Sequence, residues 1–278
     1  MGNTRGASGL PDGLEGAASR ASGGNGSPAG ACPRCSSTGF ELVHSQDGVP
    51  RARRCRCLAA GRTEQLYGES RIPRRYRKCS FDSFAELNPS LALAKAQVKS
   101  FVDGYPIHDR GLLLLGACGV GKTHLAASAL SSLIRDKGVR GLFYDFRDLL
   151  KEIQSSYDSV SQVTEMGVLQ PIFGAEVMVL DDLGAAKMTD WVRDTLSYIM
   201  NVRYNERRVT LLTSNLDDEA LGSKVVDERV RERPDLRAQI GDALRSRLYE
   251  MCDVVKLEGD DFRRTVAKHS GRGRGSLG

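Results

Sequence analysis

Gly116-Ala117-Cys118-Gly119-Val120-Gly121-Lys122-Thr123 satisfies G-x-x-x-x-G-K-[ST] at every specified position, which is the spacing of a phosphate-binding loop. Glycines let the backbone curl so that successive N–H groups point inward. A following helix adds the partial positive charge of its N-terminus, so a polyphosphate is held largely by main chain. Lys122 has the reach to meet the β- and γ-phosphates, and Thr123 carries the hydroxyl that holds Mg²⁺. The expected nucleotide cradle is therefore Gly116, Ala117, Cys118, Gly119, Val120, Gly121, Lys122 and Thr123, with His124 beside it; a chance glycine-rich turn is the competing reading. About sixty residues on, Val177-Met178-Val179-Leu180 runs into Asp181 and Asp182. That places two carboxylates at the C-terminal edge of a buried strand, where α/β sheets bind ligands. Asp181 is read as support for the Mg²⁺ shell. Asp182, one residue on and facing the other way, is read as the group that orients and deprotonates an attacking water. Asn215 ends a further apolar run and either hydrogen-bonds that water or the γ-phosphate, or caps a helix starting at Asp217.

These groups need a scaffold, and the chain supplies one. Gly111 to Gly116 is an unbroken apolar run, as expected of a strand buried on both faces. Thr123 to Asp136 reads as the helix that follows the loop. Four more strands are expected, at 141–146, 177–184, 208–215 and 253–257, with helices between them at 147–157, 163–173, 190–204 and 240–250 and one ahead of them at 89–101. Residues 223–237 are densely charged, contain Pro234 and read as an exposed loop or frayed helix. Strands alternating with helices predict an α/β fold with a parallel five-stranded sheet sandwiched by helices. Too few residues follow the last strand for a helical lid domain.

A second constellation lies near the N-terminus. Cys32-Pro33-Arg34-Cys35 is followed about twenty residues later by Cys55-Arg56-Cys57. The segment between reads as a ribbon, with Phe40, Leu42 and Val43 on one arm and Asp47-Gly48 as the turn. Two thiolate pairs joined by a hairpin match the tetrahedral sulfur ligation of structural zinc, here by Cys32, Cys35, Cys55 and Cys57. Because the second pair is C-x-C, His44 is a reserve ligand; unligated buried thiols are the alternative. Cys79, Cys118 and Cys252 stand alone and read as small apolar side chains. Residues 51–78 hold ten Arg or Lys against Glu64 and Glu69, either a basic surface for nucleic acid or an acidic protein, or a solvated linker. Phe81 and Phe84 follow, either as packing residues or as a strap over the base of a nucleotide.

The chain has 278 residues and a formal net charge of +5, which permits a nucleic-acid partner without demanding one. No apolar run approaches the ~18 residues of a membrane span, and no apolar secretory core opens the chain, so no membrane contact and a cytoplasmic protein are expected. The expected organisation is a disordered tail over 1–30, a zinc-binding module over 31–60, a basic linker and adenine strap over 61–85, a nucleotide-binding domain over 86–265 and a disordered tail over 266–278.

The order of phosphate loop, Val177–Asp182, Thr213-Ser214-Asn215 and Leu244-Arg245-Ser246-Arg247-Leu248 resembles the AAA+ ATPases of the DnaC/DnaI helicase-loader family, with IstB-type transposition helpers as close relatives. Ile72-Pro73-x-x-Tyr76, the Asp181-Asp182-Leu183-Gly184 ending, Arg203-Tyr204 and the missing lid are similar as well. The resemblance covers residues 70–265 well and 32–57 loosely. It implies an AAA+ ATPase using ATP and Mg²⁺, with Zn²⁺ in the module. Asn215 resembles sensor I, and Arg247 resembles an arginine finger that completes a neighbouring subunit's site, with Arg245 as the alternate. A homo-oligomer follows from that geometry. The family more often has Glu at the position of Asp182, and Asp is one methylene shorter. Residues 155–173 fall where related initiators insert an element touching single-stranded DNA, which makes Lys151, Ser155, Ser156 and Tyr157 candidate contacts. The implied partners are single-stranded DNA and a replicative DNA helicase, or a transposase on duplex DNA in the IstB-like alternative. A zinc-ribbon DNA-binding protein with a degenerate nucleotide site is the non-enzymatic alternative.

Overall fold

The computed structural model describes residues 32, 34, 35, 38, 40–44, 50–157, 164–216, 218 and 235–263. Both terminal stretches, the Asp47-Gly48 turn and the charged stretch through residue 234 lie outside them. The chain divides into two compact units, one ending at Cys57 and the other beginning at Leu58. In the first, β1 (Phe40–His44) and β2 (Pro50–Arg54) pair antiparallel, Phe40 opposite Arg54 and His44 opposite Pro50.

The second unit holds a five-stranded parallel sheet in the order β4-β5-β6-β3-β7. Its strands are β3 (Gly111–Gly116), β4 (Gly141–Asp145), β5 (Val177–Leu183), β6 (Val209–Ser214) and β7 (Cys252–Leu257). These are the five expected strands, shifted by a residue or two at their ends. All six residues of β6 are buried, as are five of the six in β3. That is why both read as continuous apolar runs without alternation.

Helices cover both faces. On one lie α2 (Pro89–Gly104) and α3 (Lys122–Lys137), with Leu125, Leu130 and Ile134 fully buried. On the other lie α4 (Phe146–Ser155), α5 (Glu165–Gly174), α6 (Asp190–Asn205), α7 (Leu236–Ile240) and α8 (Asp242–Met251). Local chemistry sets their ends. The Asn88 carboxamide accepts from Leu91 N ahead of α2, with Pro89 at the first helical position. Asp145 accepts from the amides of Arg147 and Asp148, and Thr189 from that of Val192. The single helix expected over 240–250 is broken at Gly241, whose φ of 82° stops α7 and starts α8.

Arg203 anchors the end of α6. Its fully buried guanidinium donates to Ile172 O, Ala175 O, Val209 O and Thr210 Oγ1. Burial, and then the positive Arg208 nearby, draws its pKa down to about 9.

Residues 56–69 form a helix, α1 (Arg56–Glu69), where a linker was expected. Its sequence conceals it, because it contains Gly61 and Gly68 and shows no apolar stripe. It is held from outside: Tyr67 is buried under the Arg135 guanidinium, 4.3 Å from the ring centre, and its hydroxyl donates to Arg77 O. Just beyond, Ser70 O accepts from Phe143 N at 2.8 Å, giving the edge strand β4 a backbone partner, and Ile72 is buried beside it. A 3₁₀ turn, Arg74–Tyr76, completes the segment. Among the described residues no helix is long and apolar enough to cross a membrane.

Candidate functional site

The loop after β3 closes against two neighbours that explain its glycines. A Cβ on Gly119 would lie 1.9 Å from Asp261 Oδ1, and one on Gly121 would lie 2.6 Å from Phe84 Cε2. Both residues also have φ in the left-handed region, at 82° and 103°. From the first turn of α3, Lys122 Nζ donates to Gly116 O and Ala117 O at 2.8 Å each. Thr123 Oγ1 donates to Asp181 Oδ1 at 2.9 Å, and Thr213 Oγ1 donates to the same oxygen at 2.6 Å. The Thr213 hydroxyl in turn accepts from Asp182 N at 2.9 Å. The first turn of α3 and the neighbouring strands β5 and β6 thus converge on one carboxylate. Burial pushes the Asp181 carboxyl up, the Thr213 and Thr123 hydroxyls pull it back, and the Asp182 and Asp145 carboxylates push it up again. A divalent cation relieves both the desolvation and the repulsion.

Strand alternation sends Asp182 to the face opposite Asp181, and the structure departs from this. Asp182 has φ of 58°, and the pairing of β5 with β6 slips between Leu180 and Leu183. This bulge returns the Asp182 side chain to the cavity that Asp181 lines. The cavity measures about 380 Å³; its polar lining includes Lys122, Thr123, Asp145, Asp181, Asp182 and Thr213. Its apolar lining includes Tyr76, Phe84, Leu87, Leu91 and Phe262. His124 belongs to this wall: its Nε2 lies 3.0 Å from Ser80 O and 3.2 Å from Ser83 Oγ, and its ring meets Phe84 edge-on at 5.5 Å. A carbonyl only accepts, so Nε2 carries the proton and donates to Ser80 O.

Asn215 and Arg247 stand outside this lining. Asn215 Nδ2 lies 3.4 Å from Cys118 Sγ in the loop, and its Oδ1 is buried without a partner among the described residues. Residue 217 and residues 219–234 lie outside the described set, and with them the helix that Asn215 was expected to cap. Arg245 donates through Nε and Nη2 to the two oxygens of buried Asp218, at 2.8 Å each. Arg247 instead stacks over the Tyr204 ring, 5.2 Å from its centre. Of the candidate DNA contacts, Lys151 lies 3.6 Å from Asp148, Ser156 donates to Ile153 O, and Tyr157 donates to Glu165.

Two parts of the cavity wall escaped the sequence. Asp145 ends a buried strand, the same signal that pointed to Asp181, yet it lacks a paired acid to mark it. Asp260, Phe262 and Arg263 come from the chain after β7, and no sequence signal identifies them. Long-range bonds seat that segment: Asn88 Nδ2 donates to Glu258 O, Glu258 N to Ser90 Oγ, and Phe262 N to Gly119 O.

The four cysteine sulfurs of the first unit lie within 4.8 Å of one another, with Cys32 to Cys55 at 3.8 Å and Cys35 to Cys57 at 3.3 Å. Tetrahedral zinc with bonds of ~2.3 Å sets its sulfurs about 3.8 Å apart, so the cluster fits the ion. None of the four is in a disulfide. Backbone amides of Arg34 and Cys35 draw the Cys32 thiol down to about 6, while hydrogen bonds from Cys35 and Cys55 push Cys57 up to about 12. Four thiolates this close repel, and a divalent cation lets them ionise together. The side chain of the reserve ligand His44 lies outside the described residues. Elemental analysis is expected to find one zinc per chain, and Cys55→Ser to lower it at least tenfold while ATP retention persists.

Residues 77–270 match the family described as IstB-like ATP binding protein. The chain is 28% identical over 232 residues to the phage-like element PBSX protein XkdC of Bacillus subtilis, covering 80% of this chain and 79% of the relative. It is 26% identical over 175 residues to the replicative helicase loader DnaC of Buchnera aphidicola subsp. Acyrthosiphon pisum, covering 63% and 70% respectively. The crystal structure of the DnaC helicase loader superimposes with a TM-score of 0.57 at 31% identity, over 67% of this chain and all of that one.

Proposed function

Since the chain belongs to the IstB-like ATP binding family and is an AAA+ ATPase, we propose that it is a DNA replication protein that binds single-stranded DNA and helps place a replicative helicase, hydrolysing ATP at a site shared between subunits. One observation carries the reading: Thr123, Asp181, Thr213 and Asp182 meet in one cavity behind the loop, while Arg247 stands outside it. The triphosphate is held by loop amides, the start of α3 and Lys122. Thr123 and Asp181 would hold Mg²⁺, which would supply charge neutralisation to the phosphates. Asp182 accepts the proton of the attacking water, and Asn215, tied to the loop through Cys118, is assigned the sensor role. Arg247 reaches the γ-phosphate of a neighbouring subunit, so turnover requires assembly.

We assign partner binding to the zinc module at 31–60, linkage and base cover to 61–85, and nucleotide and DNA handling to 86–265. Lys151, Ser155, Ser156 and Tyr157 are assigned as contacts to single-stranded DNA. The likeness to DnaC over the whole of that chain favours a helicase partner over the transposase of an IstB-type helper. The test is affinity capture with the full chain, ATP and Mg²⁺, from a lysate of its own host. A ring helicase is the expected prey. Capture of a transposase and no helicase assigns the IstB-like role instead.

A further inference from the structure

The two arginines of α8 differ in what their N–H groups do. Arg245 commits Nε and Nη2 to Asp218. Arg247 makes no hydrogen bond or ion pair with any described residue; its contact is the face of Tyr204. A guanidinium stacked on an aromatic ring is attracted through its face, so all five N–H groups at its edge stay available for oxygen acceptors. The ring is itself fixed. The Tyr204 hydroxyl donates to Glu250 Oε1 at 2.5 Å, one turn along α8 from Arg247, and the preceding Arg203 ties the backbone to α5 and β6.

We propose that Tyr204 is the positioning residue for Arg247: its ring orders the guanidinium at the subunit surface without occupying the donors that a neighbour's γ-phosphate requires. Packing against the hydrophobic core keeps the ring in place, and the bond to Glu250 is a lesser restraint. The inference rests on the reading that Arg247 acts in trans. An unsupported arginine side chain samples many rotamers, and ordering it before assembly lowers the entropic cost of reaching the transition state.

The experiment measures steady-state ATP turnover with a saturating single-stranded oligonucleotide. Tyr204→Leu is expected to lower kcat by on the order of tenfold, the upper range of a cation–π contact, with KM unchanged. Tyr204→Phe keeps the ring and should stay within about twofold of the parent. Mixing separates positioning from folding: Asp182→Asn subunits lack their own base but keep Tyr204 and Arg247 intact. A Tyr204→Leu subunit beside one of them has a working pocket and a working neighbour, so the mixture should exceed the sum of its parts. Arg247→Ala mixed with Asp182→Asn serves as the control. If the control does not recover, the trans reading itself fails. If the control recovers, parent-like turnover by Tyr204→Leu overturns the role of Tyr204; so does a mixture of it with Asp182→Asn that stays low, or a Tyr204→Phe as slow as Tyr204→Leu.

Discussion

Arg247→Ala is expected to lower ATP turnover by about 10³-fold, at protein and oligonucleotide concentrations where assembly is saturated, while ATP retention stays at the parent level. The separation follows from geometry. Arg247 is not part of the 380 Å³ cavity of its own subunit, so ground-state binding there loses nothing. What is lost is a charge delivered in trans as negative charge builds on the equatorial oxygens in the transition state. Arg247→Lys should recover little, because an ammonium cannot offer two donors in a fixed fork. The parent's activity per subunit should rise with concentration as neighbours complete each other's sites, whereas the variant's should stay flat. Initial rates by phosphate release, beside retention of a fluorescent ATP analogue, read both quantities. Unchanged turnover, or turnover and retention falling together, would remove Arg247 from the mechanism.

Lys122→Ala should fail earlier in the cycle. Lys122 projects from the first turn of α3, where only 8% of it is exposed, and donates to Gly116 O and Ala117 O. These carbonyls hold the ammonium at the mouth of the loop, next to where the β- and γ-phosphates lie in sites of this spacing. Its loss removes a charge-assisted donor from both the bound state and the transition state. Turnover is expected to drop by at least ~10²-fold, with nucleotide retention lost alongside it. A melting series separates this from misfolding. Mg²⁺ and ATP should raise the parent's midpoint, since a ligand that binds only the folded state stabilises it. The variant should show the same midpoint whether or not they are present. A variant midpoint that rises with ATP as the parent's does would show that Lys122 is not a phosphate ligand.

Several features were legible because they obey local rules. The loop at 116–123 could be read from spacing, and the strands at β3, β5 and β6 from unbroken apolar runs between helical patterns. The four cysteines could be read from their pairing. Others depended on partners far away in the chain. α1 has no stripe of its own and is held by Arg135, while the neighbouring Ser70 caps the edge of β4. The wall built by Asp260, Phe262 and Arg263 exists because Asn88, Ser90 and Gly119 capture the segment after β7.

The amino-acid sequence by itself determined the phosphate loop, the acidic strand end, the sulfur cluster and the five-stranded α/β plan. Each of these is a short-range pattern whose chemistry is carried by neighbouring residues. Only the tertiary structure decided that Asp182 shares a face with Asp181, which takes a left-handed residue and a slipped register that strand alternation does not anticipate. It also decided which arginine of α8 keeps its donors available. Arg245 and Arg247 are two residues apart and chemically identical, and each stacks on a tyrosine ring, Tyr249 and Tyr204; they differ because Asp218 takes the donors of Arg245.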